Sequence, residues 1–251
     1  MAERTGRSLR WIRDRLDQAE SISRVISPQA TVIAVDTTFW GRHYGVTVFR
    51  SPPLKRNLWW QEVVLETPET YAQGRAELEQ RGWSIVGAVI DGRRGVVKVF
   101  GDIPVQICQF HQIKTVTKYL TRKPKTQAGW ELRRLALELA RSVEETFSAR
   151  LVAWHKNWKD FLNQRTPCSC CKPNRWPYTH RKLRAAYRSL STNLPYLFTY
   201  QKYPALNIPN TTNCLDGMFS QIKNRLAVHR GLRRDRRYKL ITEILSGQQN
   251  N

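Results

Sequence analysis

The first half of the chain alternates apolar runs of strand length with short polar breaks. Its β-branched and aromatic runs predict five strands, at residues 30–35, 43–49, 57–65, 84–90 and 105–110. The turn around Gly41 predicts a hairpin between the first two. A helix is expected over residues 71–81, ended by Gly82, and a short one over 96–100. The order β-β-β-α-β-α-β predicts an α/β sheet.

From Gln112 onward, apolar residues recur at helical spacing among Arg and Lys. We expect helices over residues 130–140, 147–161 and 181–190. Further along, four apolar residues are spaced four, three and four apart, which predicts one buried stripe on a last helix: Leu215, Phe219, Ile222 and Leu226.

Composition narrows the class of protein. The chain has 251 residues, 41% of them hydrophobic and nine of them Trp, which is enough to bury a core and excludes a disordered basic tail. No apolar run approaches the roughly 20 residues of a membrane span, and the start lacks a signal-peptide apolar segment. We therefore expect a cytoplasmic protein with no membrane association.

The charge predicts a polyanionic partner and is unevenly distributed. Lys and Arg number 42 against 20 Asp and Glu, a net charge of +22. Residues 31–111 carry nine basic and eight acidic residues, whereas residues 112–205 carry 19 and five. Basic side chains gain affinity by displacing counterions from phosphates, so nucleic acid is favoured over an anionic membrane surface.

Three carboxylates stand where a site could form. Asp36 and Asp91 each end an apolar strand, and the carboxyl edge of an α/β sheet is where sites are built. Asp216 lies near the start of the last helix. The alternatives stay open: Asp36 and Asp91 could simply form turns, and Asp216 could cap its helix with Asn213. Three converging acids would suit hard divalent cations, as in two-ion phosphodiester cleavage.

Several motifs together resemble bacterial insertion-sequence transposases of the Mutator-like group, over about residues 30 to 245. They are Val35-Asp36-Thr37-Thr38-Phe39, Ile90-Asp91-Gly92, Cys108-Gln109-Phe110-His111-Gln112, the segment from Thr211 to Ser220, and His229-Arg230-Gly231-Leu232. The resemblance implies a ribonuclease H-like mixed sheet with a large all-α insertion before the last catalytic helix. The domains it implies are a helical remnant or linker (1–29), a catalytic core (30–111 and 206–251) and a basic helical insertion (112–205).

The resemblance also implies a mechanism. Asp36, Asp91 and Asp216 would be both catalytic and metal-binding, holding two Mg²⁺ or Mn²⁺ ions, although the third acid in the superfamily is usually Glu. The activity would be hydrolysis at transposon ends, then strand transfer by the freed 3′-hydroxyl. The partners would be the transposon ends and target DNA, bound by a homodimer or larger assembly in the bacterial cytoplasm, associated with the nucleoid.

Cys108 and His111 form a C-x-x-H step. Two ligands cannot close a structural zinc site, so the residues alone predict a buried thiol and a hydrogen-bonded imidazole. Similar steps follow the second acid in Mutator-like transposases. The resemblance therefore implies that both support the active site, with His111 as a positioning or phosphate-contacting group.

A cysteine-rich loop offers a second cluster of metal-ligating residues, at Cys168, Cys170, Cys171 and His180. Adjacent Cys170 and Cys171 do not easily bind one tetrahedral ion, and the usual C-x-x-C spacing is missing. Zinc binding here stays open, and free thiols in a loop are favoured.

Basic residues cluster on the helix predicted over residues 181–190 and on and after the last predicted helix. They are expected to contact DNA phosphates: Arg181, Lys182, Arg184, Arg188, Lys223, Arg230, Arg233 and Arg234. The alternative is a solvated basic helix face.

Two rival functions remain. Relatives generally carry an N-terminal zinc-binding and helix-turn-helix region, which leaves open a truncated or domesticated copy that binds DNA without cutting it. A ribonuclease H-like nuclease would share the same acids.

Overall fold

Five strands run through the first half of the chain in this computed structural model, which describes residues 6–18, 26–93, 95–166, 176–228 and 231–247. They are β1 (Ala30–Phe39), β2 (Gly45–Ser51), β3 (Arg56–Val63), β4 (Ser84–Ile90) and β5 (Val105–Ile107). In the order β3-β2-β1-β4-β5, the first three are antiparallel neighbours, while β4 and β5 run parallel to β1. The expected mixed α/β sheet is confirmed. The predicted end of the first strand before Asp36 is wrong, because β1 stays paired with β2 from Asp36 through Phe39.

Helices make up most of the remaining described chain. They are α1 (Leu9–Gln18), α2 (Pro68–Gln80), α3 (Val96–Val99), α4 (Gln109–Leu120), α5 (Gln127–Leu137), α6 (Glu144–Asn163), α7 (Arg181–Leu197), α8 (Thr199–Lys202), α9 (Asn213–Val228) and α10 (Arg234–Gly247). Among these described segments, none is long and apolar enough to cross a bilayer.

The two faces of the sheet are buried by different helices. Because side chains alternate along a strand, Ile33 and Val35 of β1 face one side and Val32 and Ala34 the other. The first side packs with α2 and with residues of α4 to α7 in a single apolar cluster. The second side packs with α9 and α10. The helical segment thus shares a core with the sheet, while the boundaries of the domains stay a prediction.

The strand predicted over residues 105–110 is too long. Strand β5 ends at Ile107, and α4 begins at Gln109. The N–H of Cys108 donates to the Ile90 carbonyl at 2.7 Å, after which the Gln112 N–H donates to the Cys108 carbonyl at 3.0 Å and opens the helix. Phe110 is apolar but lies on the surface, 40% exposed. Its hydrophobicity therefore wrongly predicted that the buried strand continues to residue 110.

Three helices predicted in the second half are present with different bounds, as α5, α6 and α7. Helix α7 continues beyond the predicted end at residue 190 because Leu197 is also fully buried, which extends the apolar stripe by two turns. Helix α10 was not predicted.

Gly74 lets α2 lie close against the sheet. A Cβ built there would lie 2.8 Å from Phe49 Cε2 and from Trp59 Cζ3, two buried rings that cannot easily move. Gly217 in α9 has no such neighbour within 4 Å.

We therefore expect Gly74→Ala to lower the free energy of unfolding by about 1 to 3 kcal/mol through overpacking. Gly217→Ala should raise it by roughly 0.5 to 1 kcal/mol through helix propensity. Urea denaturation of both variants measures this, and a stabilised Gly74→Ala would contradict the packing.

Candidate active site

The register between β1 and β4 places two acids at one edge of the sheet. Ala34 pairs with Val89, and Asp36 and Asp91 each follow two residues later on parallel strands. By the alternation of the strand, Asp36 faces the same side as Ala34, the side covered by α9. Gly92, with φ +81°, lets the chain turn away directly after Asp91.

A histidine and an acid from two helices complete a cluster with Asp36. Ligand atoms of Asp36, His111 and Asp216 all lie within 4.8 Å of one another. Asp91 is not in that cluster, and its Oδ1 accepts the Arg93 N–H at 2.8 Å. Its charge nevertheless contributes to raising the pKa of Asp36, so it belongs to the same electrostatic environment.

Cys108 and Thr212 join the helices that carry His111 and Asp216. The Thr212 N–H donates to Cys108 Sγ at 3.3 Å, and the Thr212 hydroxyl lies 3.4 Å from both Cys108 Sγ and His111 Nδ1. Cys108 and Thr212 are fully buried. The C-x-x-H step therefore fixes the start of α9 against the start of α4, which brings Asp216 toward His111.

One carboxylate oxygen in the cluster lacks a partner. Asp216 Oδ2 is buried and accepts no hydrogen bond from the part of the chain that the structure describes. An unpaired buried acceptor costs free energy, and among the unpaired buried atoms of the described chain this is the carboxylate oxygen. A role for Asp216 as a simple helix cap would leave this oxygen unexplained.

Burial and charge shift the ionisation of the cluster. Burial raises the pKa of Asp36 to about 7; His111 and the Thr37 N–H act against this rise, while Asp91 and Asp216 add to it. The hydrogen bond with Cys108 raises the pKa of His111 to about 9, with burial opposing it and the charge of Asp36 adding to it. At neutral pH, His111 is therefore a cation that partly balances the carboxylates around it.

These side chains fit a divalent cation. Carboxylate oxygens and an imidazole nitrogen are donors used by Mn²⁺ and related ions, and carboxylates suit Mg²⁺. A bound cation would satisfy the unpaired Asp216 oxygen and favour the ionised form of Asp36. The nearby hydroxyl of Thr212 would orient the His111 ring, as hydrogen bonds commonly do for metal-binding histidines.

The basic residues predicted to contact DNA have different surroundings. Arg181, Lys182, Arg188, Lys223 and Arg233 are exposed. Two others make contacts within the chain. Arg184 donates to the Leu162 carbonyl at 2.8 Å, and Arg234 donates to Glu62 Oε1 at 2.5 Å. Arg230 lies outside the described residues.

The cysteine-rich loop is largely outside the described residues, which exclude Cys168, Cys170 and Cys171. His180 is described: its Nε2 lies 2.9 Å from Gln164 Oε1, and its ring stacks on Phe161 with centroids 3.7 Å apart. Zinc binding by this loop stays a prediction.

Glu66 and Tyr71 adjoin the site and were missed in the sequence. Glu66 is buried and accepts a hydrogen bond from the Tyr71 hydroxyl. A signal existed, because Glu66 is an acid between a strand and the helix that begins at Pro68. Nothing in the sequence indicated that it would be buried.

Comparisons with known proteins add little. No family model matches the chain, and no curated protein matches it. The structure is similar to that of the Drosophila P element transposase strand transfer complex, with 14% sequence identity, 88% of this chain and 74% of that chain covered, and a TM-score of 0.31. A likeness at this level carries no weight for function, which depends on the geometry of the site.

The raised pKa of Asp36 predicts a pH-dependent stability. Burial disfavours the ionised form of Asp36 only in the folded state. Below about pH 4 the carboxyl is protonated in both states and costs no stability, and the free energy of unfolding then falls as the pH rises through about 7. Asp36→Asn removes this titration. In EDTA, we expect the variant to be more stable than the wild type by about 2 to 4 kcal/mol at pH 8, with the difference disappearing near pH 4.

Urea denaturation at both pH values measures this, with exposed Asp160→Asn as the matched control. An Asp36→Asn effect of equal size at both pH values would contradict the raised pKa.

Proposed function

We propose that this protein is a DNA transposase that uses divalent cations to cleave phosphodiesters at transposon ends and to transfer the strand into target DNA. The observation that carries the proposal is the convergence of Asp36 and Asp216 with a buried carboxylate oxygen left unpaired. Asp91, which follows the neighbouring parallel strand in register, completes the proposed triad.

The order of the elements supports the same proposal. A sheet of three antiparallel strands followed by two parallel ones is what the ribonuclease H-like interpretation requires, with one acid within β1, a second directly after β4 and a third on α9. On this proposal, residues 30–111 and 206–251 form the catalytic core, residues 112–205 the helical insertion, and residues 1–29 a linker. Membership of the Mutator-like group is part of the proposal.

Each side chain then has a role. Asp36, Asp91 and Asp216 would hold the Mg²⁺ or Mn²⁺ ions. His111 would be a further nitrogen donor in its neutral form, so that binding of the metal would release the proton that the imidazole carries at neutral pH. When bound, such ions activate the attacking oxygen and stabilise the leaving oxygen. Cys108 would hold His111 in place, and the burial of Asp36 would keep water away from one side of the site.

DNA would be held by the basic surface. The helical segment 112–205 carries 19 basic and five acidic residues, and exposed Arg181, Lys182 and Arg188 lie on its helix α7. Exposed Lys223 lies on the same helix as Asp216, which would bring phosphates toward the acids. Arg184, Arg230 and Arg234 extend the proposed surface. Assembly on paired DNA ends as a dimer or larger complex belongs to the same proposal.

The proposal predicts separate losses of cleavage and binding. We expect Asp36→Ala to abolish Mg²⁺-dependent nicking and strand transfer on DNA carrying the element's ends, while DNA affinity changes less than about threefold, because phosphate contacts supply most of that affinity. Gel assays of nicked and joined products, with a parallel binding titration, measure both. Exposed Asp160→Ala should behave like the wild type. Full activity of Asp36→Ala would overturn the proposal.

The same assay separates the rival functions. Metal-independent DNA binding by the wild type without nicking or strand transfer would favour a domesticated DNA-binding protein. Nicking without joining of 3′-ends to target DNA would favour a ribonuclease H-like nuclease.

A second prediction concerns His111 and needs no substrate. If its imidazole is a direct ligand, pulsed EPR of the Mn²⁺-loaded protein should show hyperfine coupling to a ligand nitrogen. His111→Ala should lose this coupling, and His155→Ala, whose ring stacks on Tyr187, should retain it. A nitrogen coupling unchanged in His111→Ala would exclude this ligand.

A further inference from the structure

A chain of side chains links Asp36, within β1, to Asp91, directly after β4. The Thr37 N–H donates to Asp36 Oδ1 at 2.8 Å, and the Thr37 hydroxyl lies 3.3 Å from the Tyr71 hydroxyl. Tyr71, which is fully buried, donates to Glu66. The chain thus leads from one acid into the core between β1 and α2.

Arg93 continues the chain to the second acid. Its guanidinium donates from Nη1 to Glu66 Oε2 at 2.6 Å, and its backbone N–H donates to Asp91 Oδ1 at 2.8 Å. One residue therefore holds both the buried carboxylate of Glu66 and the proposed metal ligand Asp91.

Glu66 is costly to bury, which argues for more than a structural role. Its side chain is 8% exposed, and it and Asp36 are the two buried acids in the described part of the chain. A buried ion pair often contributes less to stability than apolar residues of similar volume would. Both buried acids lie at the edge of the sheet where the site is, whereas a purely structural pair could lie anywhere.

The Arg93 guanidinium is the outer member of this pair. Its side chain is 41% exposed, and only Nη1 makes a hydrogen bond to the described residues. A guanidinium has five N–H donors in a planar fork that matches a phosphate, and anchoring one side of it removes much of the entropy lost on binding. The remaining donors are thus available to a negatively charged group, on a residue whose backbone N–H holds Asp91.

We propose that Arg93 is a phosphate-contacting residue of the active site and that Glu66 and Tyr71 are the positioning residues that aim it. The inference rests on the proposed function, because the phosphate would be that of DNA bound at the acids. Arg93 would stabilise negative charge on the phosphate as the strand is cut, and Glu66 would hold the guanidinium in that orientation before DNA binds.

The test compares Arg93→Lys, Arg93→Ala and Glu66→Gln with Arg75→Lys. Arg75 of α2 also pairs with a carboxylate, that of Asp102. Asp102 comes shortly before β5, so this pair lies at the opposite edge of the sheet from the site. The measurements are the single-turnover nicking rate at saturating DNA, the affinity for Mn²⁺ by EPR titration of the free ion, and the thermal midpoint of unfolding.

We expect Arg93→Ala to slow nicking by about 100-fold or more, Arg93→Lys by roughly 10-fold to 100-fold and Glu66→Gln by about 10-fold, from the loss of an oriented charge in the transition state. Mn²⁺ affinity in Arg93→Lys should stay within about twofold of the wild type, and Arg75→Lys should keep the full rate.

Two results would overturn the inference. One is a wild-type rate in Arg93→Ala. The other is a loss of rate in Arg93→Lys that is matched by a loss of Mn²⁺ affinity or of thermal stability, since Arg93 would then serve only to hold the fold. Failure of the proposed function is distinguishable, because it would appear as full activity in Asp36→Ala.

Discussion

The parallel pairing of β1 with β4 is the contact on which the candidate site depends. Its register sets Asp36 and Asp91 the same distance beyond the Ala34–Val89 pair. A slip of one residue would turn Asp36 to the other face, away from α9 and into the apolar cluster of Ile33 and Val35. That slip is strongly disfavoured because it would bury the Asp36 carboxylate among apolar side chains.

The electrostatic cost of the site is offset locally. Asp36 is only 7% exposed and sits with another carboxylate, an arrangement that a protein without a cation tolerates poorly. His111 supplies positive charge on one side, and Arg93 does so for Glu66 on the other. The fold thus holds negative charge in place before any metal or DNA binds. Thr37 and Tyr71 connect the carboxylate of Asp36 with that of Glu66.

The helical segment explains how an almost neutral sheet and a strongly basic region form one molecule. Leu132 and Leu190, from that segment, are fully buried in the same cluster as Ile33 and Ile90 of the sheet. The helical segment is therefore packed against the sheet. On the proposed function, its exposed Arg and Lys residues would form a cationic surface for the DNA that reaches the acids.

The sequence by itself determined the five strands, the two acids associated with β1 and β4, and the uneven charge, because apolar runs and the carboxylates that interrupt them are local features. It placed the end of β1 too early, before Asp36, because the pairing with β2 that continues the strand to Phe39 is not a local feature. It failed at Phe110, whose exposure reflects the early start of α4, and at Glu66, whose burial depends on Tyr71 and Arg93. The resemblance implied that His111 supports the site, but only the tertiary structure decided that its ring lies within 4.8 Å of the Asp36 and Asp216 carboxylates, since Thr212 reaches Cys108 across 104 positions of chain. Contacts between segments so far apart are set by packing, which no local pattern encodes.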